Sequence, residues 1–318
     1  MLARAISRKT RGTAATVLLV IHLLGVGTLA HAEGATVLRF AALGDLPYKE
    51  GEREAMPRWL NEIAQTKPAF MLHVGDFKRA RERCDDALFK DRFDLFNASA
   101  LPFIFTPGDN EWSDCDLLAG GAYDPVERLN VLRRLFFAHP ESLGQRRIAV
   151  EQQPGFPENL RWSQEGVQFV TLNLPAGNNY GIRHQPNAEF VKRDAANQTW
   201  TQQAFQMARQ NNVRALVIAF QANPGFRLHR VGLPSPGFKT TLLQLQTMAS
   251  QFDRPVLLLH GDTHSYRFDQ PLNAIGTLLP LTNVWRLEVP GSPAQGWVEV
   301  RVQDDPKRPF AVRKIPLN

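Results

Sequence analysis

Four runs of apolar residues in this chain end in the same dipeptide, Gly-Asp. They are Phe40-Ala-Ala-Leu-Gly-Asp45, Phe70-Met-Leu-His-Val-Gly-Asp76, Phe103-Ile-Phe-Thr-Pro-Gly-Asp109 and Val256-Leu-Leu-Leu-His-Gly-Asp262. Short β-prone runs separated by helical stretches read as parallel strands, and glycine lets the chain turn sharply as it leaves each one. In such sheets the carboxyl ends of the strands open onto one crevice where ligands bind. Four aspartates converging there cannot all ionise unless positive charge sits among them. A bound divalent metal is the usual source of that charge.

Around these strands the pattern is α/β. Pro57 opens a helix whose Met56, Leu60 and Ile63 share a face. A second helix carries Phe89, Phe93 and Phe96, and Asp124-Pro125 caps a third with Leu129, Leu132 and Phe136 turned inward. Residues 138–165 are polar and rich in Pro and Gly, which reads as a surface insertion. A strand is expected at Val167–Leu172, a helix at Glu189–Gln210, a strand at Ala215–Phe220 and a helix at Thr240–Gln251. Asn283–Val289, Trp297–Val302 and Phe310–Ile315 have no helices between them and read as an antiparallel meander over 283–315. One domain over residues 33–318 accounts for the whole pattern.

Residues 1–32 read as a signal peptide: Arg4, Arg8, Lys9 and Arg11 precede an apolar run from Thr13 to Ala30, and Ala30-His31-Ala32 fits the cleavage rule. The competing reading, an uncleaved anchor, is weakened by His22 and Gly25 within the run. The mature chain is then periplasmic or secreted and keeps no membrane anchor. Of the 37 Lys+Arg, four lie in the label, leaving 33 against 31 Asp+Glu. That near-neutral balance disfavours a nucleic-acid partner. The only cysteines, Cys84 and Cys115, each follow a Gly-Asp ending, and in an exported chain they are expected to pair, a link worth about 3–4 kcal/mol.

Asp45-Leu-Pro47, Gly75-Asp76, Gly108-Asp-Asn-Glu111, the region of Gln221 and Gly261-Asp-Thr-His264 follow one another in the order of five loop motifs. In this the chain resembles the calcineurin-like metallophosphoesterases, whose motifs are Asp-x-His, Gly-Asp, Gly-Asn-His-Asp/Glu, a lone His and Gly-His-x-His. The resemblance implies a four-layer α-β-β-α sandwich of two mixed sheets and two divalent metals. It also implies hydrolysis of phosphomonoesters or phosphodiesters by metal-activated water. Carried over by position, Asp45, Asp76 and His264 form one metal site, and Asp76, Asp109, Gln221 and Asp262 the other.

This chain departs from the family pattern at several points. Pro47 stands at a histidine position, Asp109 at an asparagine and Asn110 at the histidine that assists the leaving group. Gln221, or else Asn223, takes the lone-His position, and Asp262 replaces the first histidine of the last motif. A one-residue slip in the third motif would make Asn110 the ligand and Glu111 the replacement. A mostly oxygen donor set predicts Mn, Mg or Ca in preference to Zn or Fe.

Asn110 can orient an oxygen but cannot donate a proton as an imidazolium does, which leaves Glu111 as the alternative acid or as a residue that fixes the loop. Lys78, Arg79 and Arg267 are candidate phosphate clamps, and Asn178 and Asn179 candidate substrate contacts in a Gly-Asn-Asn-Tyr-Gly turn. His73 and His260 read chiefly as buried and satisfied by their neighbours. There is no Gly-x-Ser-x-Gly elbow, phosphate-binding Gly-Lys-Ser/Thr loop or His-Glu-x-x-His. The expected partner is a phosphorylated small molecule. The competing function is a weakened relative that binds metal or such a ligand without turnover.

Overall fold

The structure is a computed structural model that describes residues 35–181 and 187–317. The expected signal peptide lies outside the described residues. Gly34–Asn318 form one compact unit.

A five-stranded sheet is built from β1 (Thr36–Leu43), β2 (Met71–His73), β3 (Phe103–Phe105), β11 (Gly296–Gln303) and β12 (Phe310–Pro316), in the order β12-β11-β1-β2-β3. A seven-stranded sheet contains β4 (Glu151–Gln153), β5 (Phe156–Gln164), β6 (Val167–Thr171), β7 (Ala215–Ala219), β8 (Val256–His260), β9 (Arg267–Asp269) and β10 (Val284–Glu288). Its order is β4-β5-β6-β7-β8-β10-β9. Both sheets are mixed: β1-β2-β3 and β6-β7-β8-β10 run parallel, while the outer strands pair antiparallel.

Side-chain alternation explains the layering. In β7 and β8, Val217, Ala219, Leu257 and Leu259 face the core shared with the first sheet, together with Phe40, Phe70 and Phe169. Their alternates Leu216, Ile218, Val256 and Leu258 face a second core, where Trp200, Phe205, Leu242 and Leu245 pack. Those four belong to the helices Ala188–Gln210 and Lys239–Ser250. Helices Glu50–Gln65, Asp86–Asn97 and Pro125–Phe136 place Met56, Phe89 and Leu132 against the first sheet. The result is two mixed sheets flanked by helices, as the resemblance implied.

Three local expectations need correction. The first helix starts at Glu50, so Pro57 lies inside it, although Met56, Leu60 and Ile63 do share the buried face. Residues 138–165 are not an insertion outside the sheets. They supply β4, at the edge of the second sheet, where polar residues are tolerated because one side of an edge meets solvent, and β5, paired between β4 and β6. Nor do 283–315 form one meander: β10 runs parallel to β8 in the second sheet, and only β11 and β12 pair antiparallel in the first. Among the described residues, no helix is long and apolar enough to cross a membrane.

Candidate metal centre

Parallel register brings the Gly-Asp loops together. Leu43, His73 and Phe105 are aligned across β1, β2 and β3, so the turns bearing Asp45, Asp76 and Asp109 leave one edge of the first sheet. Ala219 and Leu259 align β7 and β8, so Gln221 and Asp262 leave the matching edge of the second. The sheets meet there: the Asp262 backbone N–H donates to both Asp45 carboxylate oxygens, at 3.0 and 3.2 Å. Gln221 Nε2 donates to Asp76 Oδ2 at 3.1 Å.

Close approach explains why glycine precedes aspartate. A Cβ on Gly108 would lie 2.0 Å from Asp76 Oδ1, and one on Gly261 would lie 2.3 Å from Asp45 Oδ2. The candidate positions are strained as well. Asp45, Asp76, Asp262 and His264 have φ of 54, 59, 81 and 58°, values that cost non-glycine residues energy and persist where the surroundings over-determine them.

Electrostatics of the cluster follow from burial. Desolvation, chiefly, and then neighbouring carboxylates push Asp45, Asp76 and Asp109 well above the usual carboxylate range. Asp262 is pushed up to about 6 and Glu111 to about 7, in both cases mainly by burial. Among the described residues, no Lys or Arg forms an ion pair with Asp45, Asp76, Asp109 or Asp262. The one ion-pair contact is His264 Nε2, 3.6 Å from Asp45 Oδ1. The histidine ring is held by Nδ1 against the Ser292 carbonyl. With Nδ1 donating there, Nε2 is the ring nitrogen that faces Asp45, and it is the one positioned to meet a metal.

The donor chemistry of Asp45, Asp76 and His264 therefore fits a divalent cation. The fit fails at Gln221, whose Oε1 accepts the Ala176 N–H at 2.7 Å, leaving the amide nitrogen towards Asp76. Among the described residues, no three His, Cys, Asp or Glu side chains are gathered as an ion cage as they stand. Asp76 and Asp262 are instead turned onto N–H or O–H donors: Asp76 accepts from Asn110 N and Tyr48 Oη at 3.3 Å each, and Asp262 from Asn223 N at 2.7 Å.

Other candidates divide between site and scaffold. Asn110 Nδ2 donates to Tyr48 Oη at 3.1 Å and to the Lys78 carbonyl at 2.9 Å. Glu111 is buried and accepts the backbone N–H groups of Phe77 (2.6 Å) and Gly108 (3.0 Å), which ties the Asp76 and Asp109 loops together. Lys78 is buried and donates Nζ to the carbonyls of Arg79 and Glu82, and burial lowers its pKa. Arg79 is exposed. Arg267 is half exposed, with Nε 3.6 Å from Glu288. Asn178 Oδ1 accepts Gly237 N, and Asn179 donates to Gly237 O while accepting from Arg193, so both bind scaffold. His73 lies within the first sheet: its Nε2 donates to Leu46 O at 2.8 Å and its Nδ1 accepts Gly75 N at 3.2 Å, linking two Gly-Asp loops. His260 stacks on Phe220. Cys84 and Cys115 form a disulfide with Cα atoms 5.8 Å apart.

Sequence reasoning missed Tyr48. Its hydroxyl stands between Asp76 Oδ2 (3.3 Å), His264 Nε2 (3.4 Å) and Asn110 Nδ2 (3.1 Å). Its place three residues after Asp45, in the same loop, was the available signal.

Residues 38–266 match the calcineurin-like phosphoesterase family. The chain belongs to that family. Among solved structures, this calcineurin-like phosphoesterase is similar to a dimetal phosphatase from Danio rerio, with 10% identity and a TM-score of 0.52 over 88% of this chain and 99% of that one. It is also similar to PhoD, with 14% identity and a TM-score of 0.51 over 89% of this chain and 70% of that one. At such identities the likeness shows the fold. No curated protein matches the chain.

Proposed function

We propose that this protein is an exported, metal-dependent phosphoesterase acting on phosphomonoesters or phosphodiesters. The observation that carries the proposal is His264, held at Nδ1 by Ser292 so that Nε2 faces Asp45, beside Asp76 at the junction of the two sheets. Asp45, Asp76 and His264 would hold one divalent ion, and Asp76, Asp109 and Asp262 a second. The oxygen-rich set favours Mn, Mg or Ca. Bound ions would supply Lewis-acid activation of water and of the phosphoryl oxygens.

The remaining roles belong to the chain's own groups. Exposed Arg79, and half-exposed Arg267 beside Glu288, are the candidate cations to meet a phosphate. Tyr48 Oη, positioned by Asn110 Nδ2, supplies a hydrogen-bonding group for ester oxygens. Glu111, held by two backbone N–H groups, keeps the loops in place.

A second reading has its own support. Gln221 presents an N–H donor where an acceptor is needed, and Asn110 offers no imidazolium proton. A protein so altered would bind a cation or phosphorylated ligand without turnover. Hydrolysis of p-nitrophenyl phosphate and bis(p-nitrophenyl) phosphate with Mg²⁺, Mn²⁺, Ca²⁺ or Zn²⁺ separates the two. Cation-dependent turnover that disappears in Asp76→Ala supports the enzyme. Cation binding by calorimetry with no turnover for either ester supports the binder.

A further inference from the structure

Six of the ten large hydrophobic side chains exposed among the described residues stand on two surface segments: Leu228, in the short helix Phe226–Arg230, with Val231 and Leu233 in the loop after it, and Ile275, Leu278 and Leu279 on a second loop. Leu278 and Leu279 are 79% and 71% exposed. Neither loop is loose. The first closes through Leu233 N to Leu228 O at 2.9 Å, and the second through Ala274 N to Leu279 O at 2.8 Å and the Asn273–Pro280 bridge.

Their bases form one junction. Arg230 Nε donates to Asn273 Oδ1 at 2.8 Å, and Asn273 Nδ2 returns a bond to Arg230 O at 3.3 Å. Gln246 braces both loops, meeting His229 Nε2 at 3.0 Å and donating to Asn273 O at 2.9 Å. The two loops thus rise from one hydrogen-bonded base.

Charge tells which partner suits them. Residues 225–239 and 270–281 contain no Asp or Glu, while Arg227, Arg230 and Lys239 are exposed. None of these three forms an ion pair among the described residues. A second copy docking by two-fold symmetry would set these cations against themselves. An anionic bilayer surface offers an apolar layer for the leucines and phosphate head groups for the cations around them. We propose that this loop pair seats the protein on an anionic lipid surface.

Sedimentation with vesicles tests the proposal, using the chain from Glu33 onward, which carries the whole compact unit. The parent should bind vesicles of phosphatidylcholine and phosphatidylglycerol at low salt and bind phosphatidylcholine alone at least about tenfold less. Leu278→Asp with Leu279→Asp should lower the bound fraction about tenfold or more, because two inserting side chains become charged. Arg227→Gln should lower affinity about fivefold. Leu118→Asp, at an 89% exposed site elsewhere, should leave binding unchanged. The proposal is overturned if the parent ignores anionic vesicles or if the Leu278/Leu279 variant binds like the parent. It is equally overturned by a dimer in vesicle-free solution that the same variant converts to monomer, which would assign the face to a second copy.

Discussion

Gln221 faces Asp76 with its nitrogen: Nε2 lies 3.1 Å from Asp76 Oδ2 because Oε1 is already bound to the Ala176 N–H. A neutral donor therefore partly offsets a buried carboxylate. Gln221→Glu exchanges that donor for an oxygen of the same shape. Without a cation, the added repulsion should lower the thermal midpoint by several degrees. With Mn²⁺ or Ca²⁺, calorimetry should show affinity rising about tenfold, since each added carboxylate tightens an oxygen-ligated site. Unchanged affinity would place Gln221 outside any cation's reach.

The raised carboxylates also predict a pH dependence. Asp262 and Glu111 have folded values of about 6 and 7 against ordinary values of 3.8 and 4.5. Raised folded values stabilise the fold fully below the ordinary range, and that stability is lost as pH rises through about 6 to 7. In chelator, the midpoint should fall between pH 5 and pH 8 by on the order of 5–10 °C. A bound divalent cation should flatten that decline by favouring the ionised forms. A chelated midpoint that rises over this interval would contradict the assignment.

The sequence made the strand ends legible because Gly-Asp marks both a sharp turn and a close approach. Gly108 and Gly261 are required by the neighbouring carboxylates themselves. Side-chain orientation was not legible. Gln221 looks like an oxygen ligand by position, and only the fold shows Ala176 taking that oxygen. Lys78 follows a site aspartate, yet its ammonium is bound by two carbonyls of its own loop. Tyr48 carried no motif, since its role depends on Asn110 and His264, 62 and 216 residues away. Polarity misled at 138–165, where the edge strand Glu151–Gln153 and an exposed loop look alike in composition.

Asn110→His restores an imidazole beside Asp76. General acid help matters most when the leaving group is poor, so alkyl phosphate turnover should rise about 10²-fold while p-nitrophenyl phosphate turnover changes little. The substitution also loses the bond from Asn110 Nδ2 to Lys78 O, a loss of about 1 kcal/mol in stability. Equal gains on both substrates would argue for a binding effect and against proton donation.

Tyr48→Phe removes one oxygen from the centre of the site. Burial, first, and then the surrounding carboxylates push the phenol's pKa upward, so it remains a neutral donor throughout the working pH range. Asn110 keeps its bond to Lys78 O when the hydroxyl is lost, so the loop should hold and stability fall by only about 1 kcal/mol. Asp76 loses a donor, and His264 Nε2 loses the group 3.4 Å away that shares its approach to Asp76. If that hydroxyl orients ester oxygens, kcat/KM should drop about 10- to 100-fold. The pH profile should keep its shape, because the missing group does not titrate in that range. Full turnover in a folded Tyr48→Phe protein would make the hydroxyl a spacer between Asp76 and His264, with no part in handling substrate.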